Sequence, residues 1–209
     1  MQDSNRKVVL LGYSGHGFVL AEALIQNGYE LIGYADSGKR ENNPYGIPFL
    51  GNERSFDFDW SSQLLYALGV GNNEIREELA KRVLSNGGRL VSVIHPEASI
   101  SKDLQIGNGS FIARNAAVNP LVKVGSNVIL NTSCVIDHEC IIEDNVHIAP
   151  GAVLAGNVKV GKGAFVGANC VVKEGVIIGE RSIIGAGSVI IKDVDAAAMM
   201  VGNPGKNIG

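Results

Sequence analysis

The chain has 209 residues, with 18 Lys and Arg against 21 Asp and Glu and a formal net charge of −3. That balance, with no basic tract, argues against nucleic acid or an anionic membrane surface as a partner. Aromatics are 6% of the chain and glycines number 27, so the core must be aliphatic, with glycine at many tight turns.

In chain order, the first element is the apolar strand "KVVLL" (7–11). It is too short for the apolar region of a signal peptide. No other stretch approaches the ~18 apolar residues of a membrane span, so a cytoplasmic protein is expected. "GYSGHG" (12–17) follows, and "FVLAEALIQNG" has helical spacing with a Gly28 stop. "YELIGYADS" reads as a second strand ending at Asp36 and Ser37, "LLYALGVG" (64–71) as a third, and "RLVSVIH" (89–95) as a fourth. Residues 42–51 between them are rich in Pro and Gly, and "NNEIREELAKRVLSNGG" reads as a second helix. This alternation predicts a small parallel α/β unit over 1–95, with Pro96 as a hinge.

From Ile100 to Ile190 every sixth residue is aliphatic, through sixteen hexapeptides without a break in register. Four places after each aliphatic residue stands a small or β-branched one, such as Ser110, Ala116, Val128, Ala152 or Ser188, with Leu104 in the first hexapeptide the one bulky exception. A period of six fits neither an α-helix nor a half-buried strand; it is the hexapeptide signature of a parallel β-helix, expected over 96–209. Cys134, Cys140 and Cys170 all fall in the small-residue slot and read as buried packing groups.

Two motifs carry chemistry. Gly12–Gly17 joins a strand to a helix, where glycines let the backbone approach a phosphate and the helix start offers free N–H groups. Asp36 then stands where nucleotide folds place an acid for a sugar or base. A tight turn without a ligand is the alternative reading, and a serine-hydrolase elbow fails because its second glycine is replaced by His16. In the repeats, Asp137-His138-Glu139 breaks an apolar rhythm, and His147 follows nine residues after His138. His138 falls at a corner, where side chains point outward, and Glu139 can raise its basicity or fix a tautomer. It is therefore a candidate general base, a structural histidine being the other reading. Two repeat-region imidazoles do not make a metal site, and no metal is expected.

Hexapeptides closing in "VGNPGK" (201–206) resemble the left-handed β-helix acyltransferases that use acyl-CoA. "GYSGHG", "GVGNNEIR", "LNTSCVIDHEC" and "AGNVKVGKGAFVG" together resemble a narrower family, the PglD-type nucleotide-sugar N-acetyltransferases, over nearly the whole chain. The resemblance implies acetyl transfer from acetyl-CoA to the 4-amine of a UDP-4-amino-4,6-dideoxy sugar, in a homotrimer with sites between subunits. Some members carry this unit fused to a sugar-phosphate transferase. It implies His138 as general base, Glu139 as its support and Asn131 beside the substrate. It also implies uridine-nucleotide contacts at Ser14, Gly15, His16, Asp36, Ser37 and Gly71, and an acetyl-donor contact at His147. Ala168 and Ala186 fall near the expected CoA surface, and a backbone N–H, for which Gly156 is the candidate, would hold the oxyanion. The chain departs from the family pattern at Ser37, where a second Asp can stand, and at Ala168 and Ala186. Another acceptor, such as a GDP-amino sugar or a sialic acid hydroxyl, and a non-catalytic scaffold are the competing expectations.

Overall fold

The structure, a computed structural model, describes residues 6–209. The first unit is a five-stranded parallel sheet built from β1 (Lys7–Leu11), β2 (Glu30–Ala35), β3 (Phe49–Gly51), β4 (Leu65–Leu68) and β5 (Arg89–Leu90). Helices α1 (Gly15–Gln26) and α2 (Asn73–Ser85) complete it. The strand order is β3-β2-β1-β4-β5. The chain runs outward from β1 to β3, then returns to the other side of β1. That reversal opens a crevice at the carboxyl ends of β1 and β4, where open α/β sheets bind ligands.

Three local readings are corrected. α1 starts at Gly15 rather than Phe18, so Gly15-His16-Gly17 is the first helical turn. β3 forms the end of the Pro/Gly-rich segment, a three-residue edge strand too short to leave a period. The segment 89–95 is not one strand. Its first half closes the α/β sheet, while β6 (Val93–Ile94) pairs with Phe111–Ile112 and starts the second unit.

That second unit is a parallel β-solenoid. Two-residue strands pair with strands 18 residues on, as Ala117 with Val135, Lys123 with Ile141 and Ile129 with His147. Three hexapeptides therefore make one coil, and the faces form sheets of six, five and eight strands. Both repeating positions point inward: the aliphatic residues from Ile112 to Ile190 and the small residues from Ala116 to Val176 form one continuous core. The corner between them needs a positive φ, supplied mostly by Asn (115, 127, 145, 157, 169) or Gly (109, 151, 163, 175, 187). All three cysteines are fully buried, and burial pushes the Cys134 thiol up to about 12 and that of Cys140 to about 11.

The two units share a core. Val93, Phe111 and Ile129 project outward from the eight-stranded sheet into the cluster of Leu10, Leu20, Leu24 and Tyr34. Asn27 Nδ2 donates to Ile94 O at 3.0 Å, and Asn73 Nδ2 donates to Gly163 O at 2.9 Å. Among the described residues no helix is long and apolar enough to cross a membrane.

Candidate active site

The catalytic candidates lie where the solenoid turns. His138 sits in the turn from the six-stranded to the five-stranded sheet, with its side chain 50% exposed. Its ring Nδ1 lies 3.0 Å from Glu139 Oε2. A carboxylate can only accept, so Nδ1 carries the proton and Nε2 keeps a free lone pair. Glu139 occupies the corner position with φ 61°, where the solenoid otherwise places mostly Asn or Gly. That strained conformation swings its carboxylate back to the preceding imidazole. Asp137 does not touch the ring; it accepts from the His138 backbone N–H at 2.8 Å and from Asn119 Nδ2 at 2.6 Å.

Gly156 stands one coil on, beneath His138. A Cβ there would come 2.6 Å from His138 Nε2 and 2.5 Å from Cε1, so only glycine lets the imidazole lie flat on the turn. The Gly156 N–H has no acceptor among the described residues, which leaves a backbone donor beside the basic nitrogen.

His147 occupies a buried seat, 8% exposed, under the first unit. Nδ1 lies 3.1 Å from Gly71 O and Nε2 lies 3.1 Å from Asn131 Nδ2. Gly71 O fixes the proton on Nδ1, and Asn131 Oδ1, held by the Thr132 N–H at 2.8 Å, turns its amide nitrogen toward the ring. Burial first, then the positive charge of Arg76, lowers His147 to about 4. His16 packs against it at 6.2 Å between ring centroids and is lowered to about 3 by burial, then by His147 and Arg76. Both are neutral imidazoles with a packing role that sequence spacing did not show.

Arg76 is the residue that sequence reasoning missed. It is fully buried, and its guanidinium donates to Asn127 O (2.8 Å), Asn145 O (2.9 Å), Gly71 O (3.1 Å) and Asn73 Oδ1 (2.8 Å). It thus ties the loop after β4 to two successive solenoid coils. A signal was present: Arg76 falls on the same helical stripe as the buried Leu79, Ala80 and Val83.

The nucleotide candidates mostly converge. A cleft of about 300 Å³ at the carboxyl ends of β1–β4 is lined by Ser14, Asp36, Ser37 and Gly71, with Arg40, Glu53, Arg54 and an apolar wall of Val70, Ile75 and Leu79. Ser14 caps α1 without using its hydroxyl, so hydroxyl and first-turn N–H groups remain available for an anion. Gly15 borders open space, whereas Gly12 and Gly17 are glycines for packing: a Cβ on Gly17 would meet Gly12 O at 2.4 Å. His16 points away, toward Phe111 and His147. Asp36 is already saturated, accepting from Tyr13 N–H, from the Ser37 N–H and hydroxyl, and from Arg40 through Nε and Nη2. Burial pushes its pKa up, but these bonds outweigh burial and hold it below the usual value.

Asn131, Ala168 and Ala186 fall in turns of one edge, between the eight- and six-stranded sheets, while His138 and Gly156 occupy the next edge. The six-stranded sheet lies between the two edges. Among the described residues no group of three or more His, Cys, Asp or Glu is placed to hold a metal.

A nucleotide-type α/β unit docked on a hexapeptide solenoid, with an exposed His–Glu pair at a coil corner, defines the class of hexapeptide-repeat acyltransferases. The PglD N-terminal domain family matches residues 7–83, and the bacterial transferase hexapeptide family matches 121–156 and 157–192. The acetyltransferase domain of PglB from Neisseria gonorrhoeae FA1090, also solved with acetyl coenzyme A, is 32% identical. That alignment covers 98% of this chain and 100% of that one, with a TM-score of 0.92. GDP-perosamine N-acetyltransferase of Escherichia coli O157:H7 is 30% identical over 87 residues, 42% of this chain and 39% of that protein. UDP-N-acetylbacillosamine N-acetyltransferase of Bacillus subtilis (strain 168) is 39% identical over 49 residues, 23% of each chain. The matches thus span well under half the length of these two curated relatives. The chain belongs to the PglD-type hexapeptide acetyltransferases.

Proposed function

We propose that the protein transfers the acetyl group of acetyl-CoA to the 4-amine of a UDP-linked 4-amino-4,6-dideoxy sugar. Residues 1–95 hold the nucleotide, residues 96–209 carry the chemistry, and both substrates are met in the cytoplasm. The observation that carries the reading is the His138–Glu139 pair, with one imidazole nitrogen fixed as donor and the other left basic beside the free N–H of Gly156.

In this reading the amine nitrogen attacks the thioester carbonyl as His138 Nε2 removes its proton. Glu139 stabilises the imidazolium, and the Gly156 N–H receives the oxyanion as negative charge develops. Collapse breaks the C–S bond, and the departing thiolate takes the proton from His138 to give free CoA and the amide. Asn131 orients the sugar, His147 borders the acetyl donor through Asn131 and Gly71, and Ala168 and Ala186 line the path of CoA. Because the two edges are apart in one chain, a homotrimer apposes the His138 edge of one subunit to the Asn131 edge of its neighbour.

A GDP-linked acceptor is the second reading, favoured by the longer alignment to the GDP-perosamine enzyme. Thiol release from acetyl-CoA, measured over UDP- and GDP-linked 4-amino sugars, tests both. Turnover with a UDP-linked amine is expected; release only with GDP sugars selects the second reading, and no release with any amine overturns acetyl transfer.

A further inference from the structure

Glu53 follows the edge strand β3 and lines the cleft beside Asp36, Arg40 and Arg54. It is only 6% exposed, yet its Oε2 has no hydrogen-bond partner. Its nearest cation, Arg54, stands 3.7 Å from Oε1, beyond hydrogen-bond length, and reaches Glu78 at 3.8 Å without closing a bond there either. A buried carboxylate oxygen without a donor is unfavourable, and a built cleft containing one is short of a donor that a ligand can bring.

Asp36 cannot meet that ligand's donors. A carboxylate offers about four lone-pair sites, and Tyr13, Ser37 and Arg40 use those of Asp36. The acid at the end of the second strand, which nucleotide folds use for the ribose, here braces the loop instead. Glu53 stands one strand further from the helix start that would hold the phosphates, and adjacent strands are ~4.8 Å apart. It therefore faces the nucleoside rather than the diphosphate.

We propose that Glu53, not Asp36, accepts the hydrogen-bond donors of the bound nucleoside, and that it determines specificity in the nucleotide cleft. This rests on the nucleotide-sugar reading above. The shared chemistry is a donor pair: the ribose 2′- and 3′-hydroxyls, or the N–H edge of the base. Guanine offers two adjacent N–H donors there, whereas uracil offers one imino N–H flanked by carbonyls that repel a carboxylate. With uridine the ribose is therefore the donor, and with guanosine the base edge adds to it.

The test is calorimetric titration of UDP and GDP into the full chain, the Glu53→Gln variant and the Glu53→Ala variant. Acetyl-CoA affinity and thermal melting serve as controls for folding. Both variants should lose roughly tenfold or more in affinity for the nucleotide while acetyl-CoA affinity stays. The 2′-deoxy nucleotides and N3-methyl-UDP separate the sources. A ribose donor makes wild type lose affinity for the deoxy form while Glu53→Ala no longer distinguishes it, and a base donor gives that pattern with the methylated base. Unchanged nucleotide affinity in both folded variants overturns the role of Glu53 alone. Failure of the wild-type chain to bind either nucleotide overturns the reading on which it rests.

Discussion

His138 and Glu139 are adjacent in sequence, and their geometry follows from one backbone angle. The positive φ of Glu139 turns its carboxylate onto Nδ1, so the pair was legible from the residues alone once the hexapeptide register was known. His138→Ala should lower kcat by roughly 10²–10⁴, the range for loss of a general base, with the fold intact because its half-exposed ring is not needed for the core. Glu139→Ala should cost less, since Nε2 remains. Steady-state thiol release checks both, and near-normal turnover in the His138 variant removes it as base. Gly15 offers a second clean test: open space surrounds it, so Gly15→Val adds bulk at the start of α1, next to the cleft residue Ser14, without a clash. Nucleotide affinity should fall while acetyl-CoA affinity holds, as read by titration of each; a parallel collapse of both contradicts separate sites. What residue types could not show was occupancy of their bonds. Asp36 lines the cleft as the sequence pattern suggests, and only the folded contacts show that Arg40 and Tyr13 already donate to it.

Regular elements were legible in proportion to their period. The six-residue rhythm runs unbroken from Ile100 to Ile190, so its register survives every polar insertion, whereas β3, with three residues, leaves no rhythm. The division of 89–95 is fixed by long-range pairing to Phe111, and its signal is slight: Ile94, six before Ile100, and Ala98 carry the rhythm back into the segment. The same long-range docking makes His16 and His147 buried and neutral, and it predicts a pH dependence. Their folded-state values, about 3 and about 4, lie below the ordinary 6.5, so the unfolded chain binds more protons between those values. Stability is therefore full above about pH 6.5 and falls as pH drops toward 4, by about 3 kcal/mol for a histidine shifted from 6.5 to about 4. Urea unfolding from pH 7 to pH 4 should show this slope, and His147→Gln should flatten it; an unchanged slope contradicts the buried seat. Arg76, the buried clamp of α2, should tolerate no conservative exchange. A lysine cannot fork to Asn127, Asn145 and Gly71 at once, so Arg76→Lys should lose about 2–4 kcal/mol and speed amide exchange in 70–73. Wild-type unfolding and exchange would remove the clamp.

Across the whole molecule, the candidate site residues fall in separate places of one copy. The nucleotide cleft lies over the α/β sheet, Asn131 and His147 sit beneath that unit, and His138 with Gly156 occupies the next edge of the prism. Beyond Ser99 in the first coil, the outward residues of the intervening six-stranded sheet, Ala117, Val135, Val153, Val171 and Val189, are small and apolar, a face suited to a second copy. In the proposed cyclic trimer each site would take His138 from one subunit and the bonded Asn131–His147 pair from the next. A ring mixing His138→Ala chains with His147→Ala chains, in either ratio, contains one interface with both histidines intact. The decisive measurement is acetyl transfer by such mixtures after subunit exchange, with each variant inactive alone. Equal mixing should restore about one quarter of the wild-type rate, because about three quarters of the rings are mixed and each holds one intact site of three. No recovery, with exchange demonstrated by differently tagged chains in one trimer, would contradict the shared site and return catalysis to a single chain.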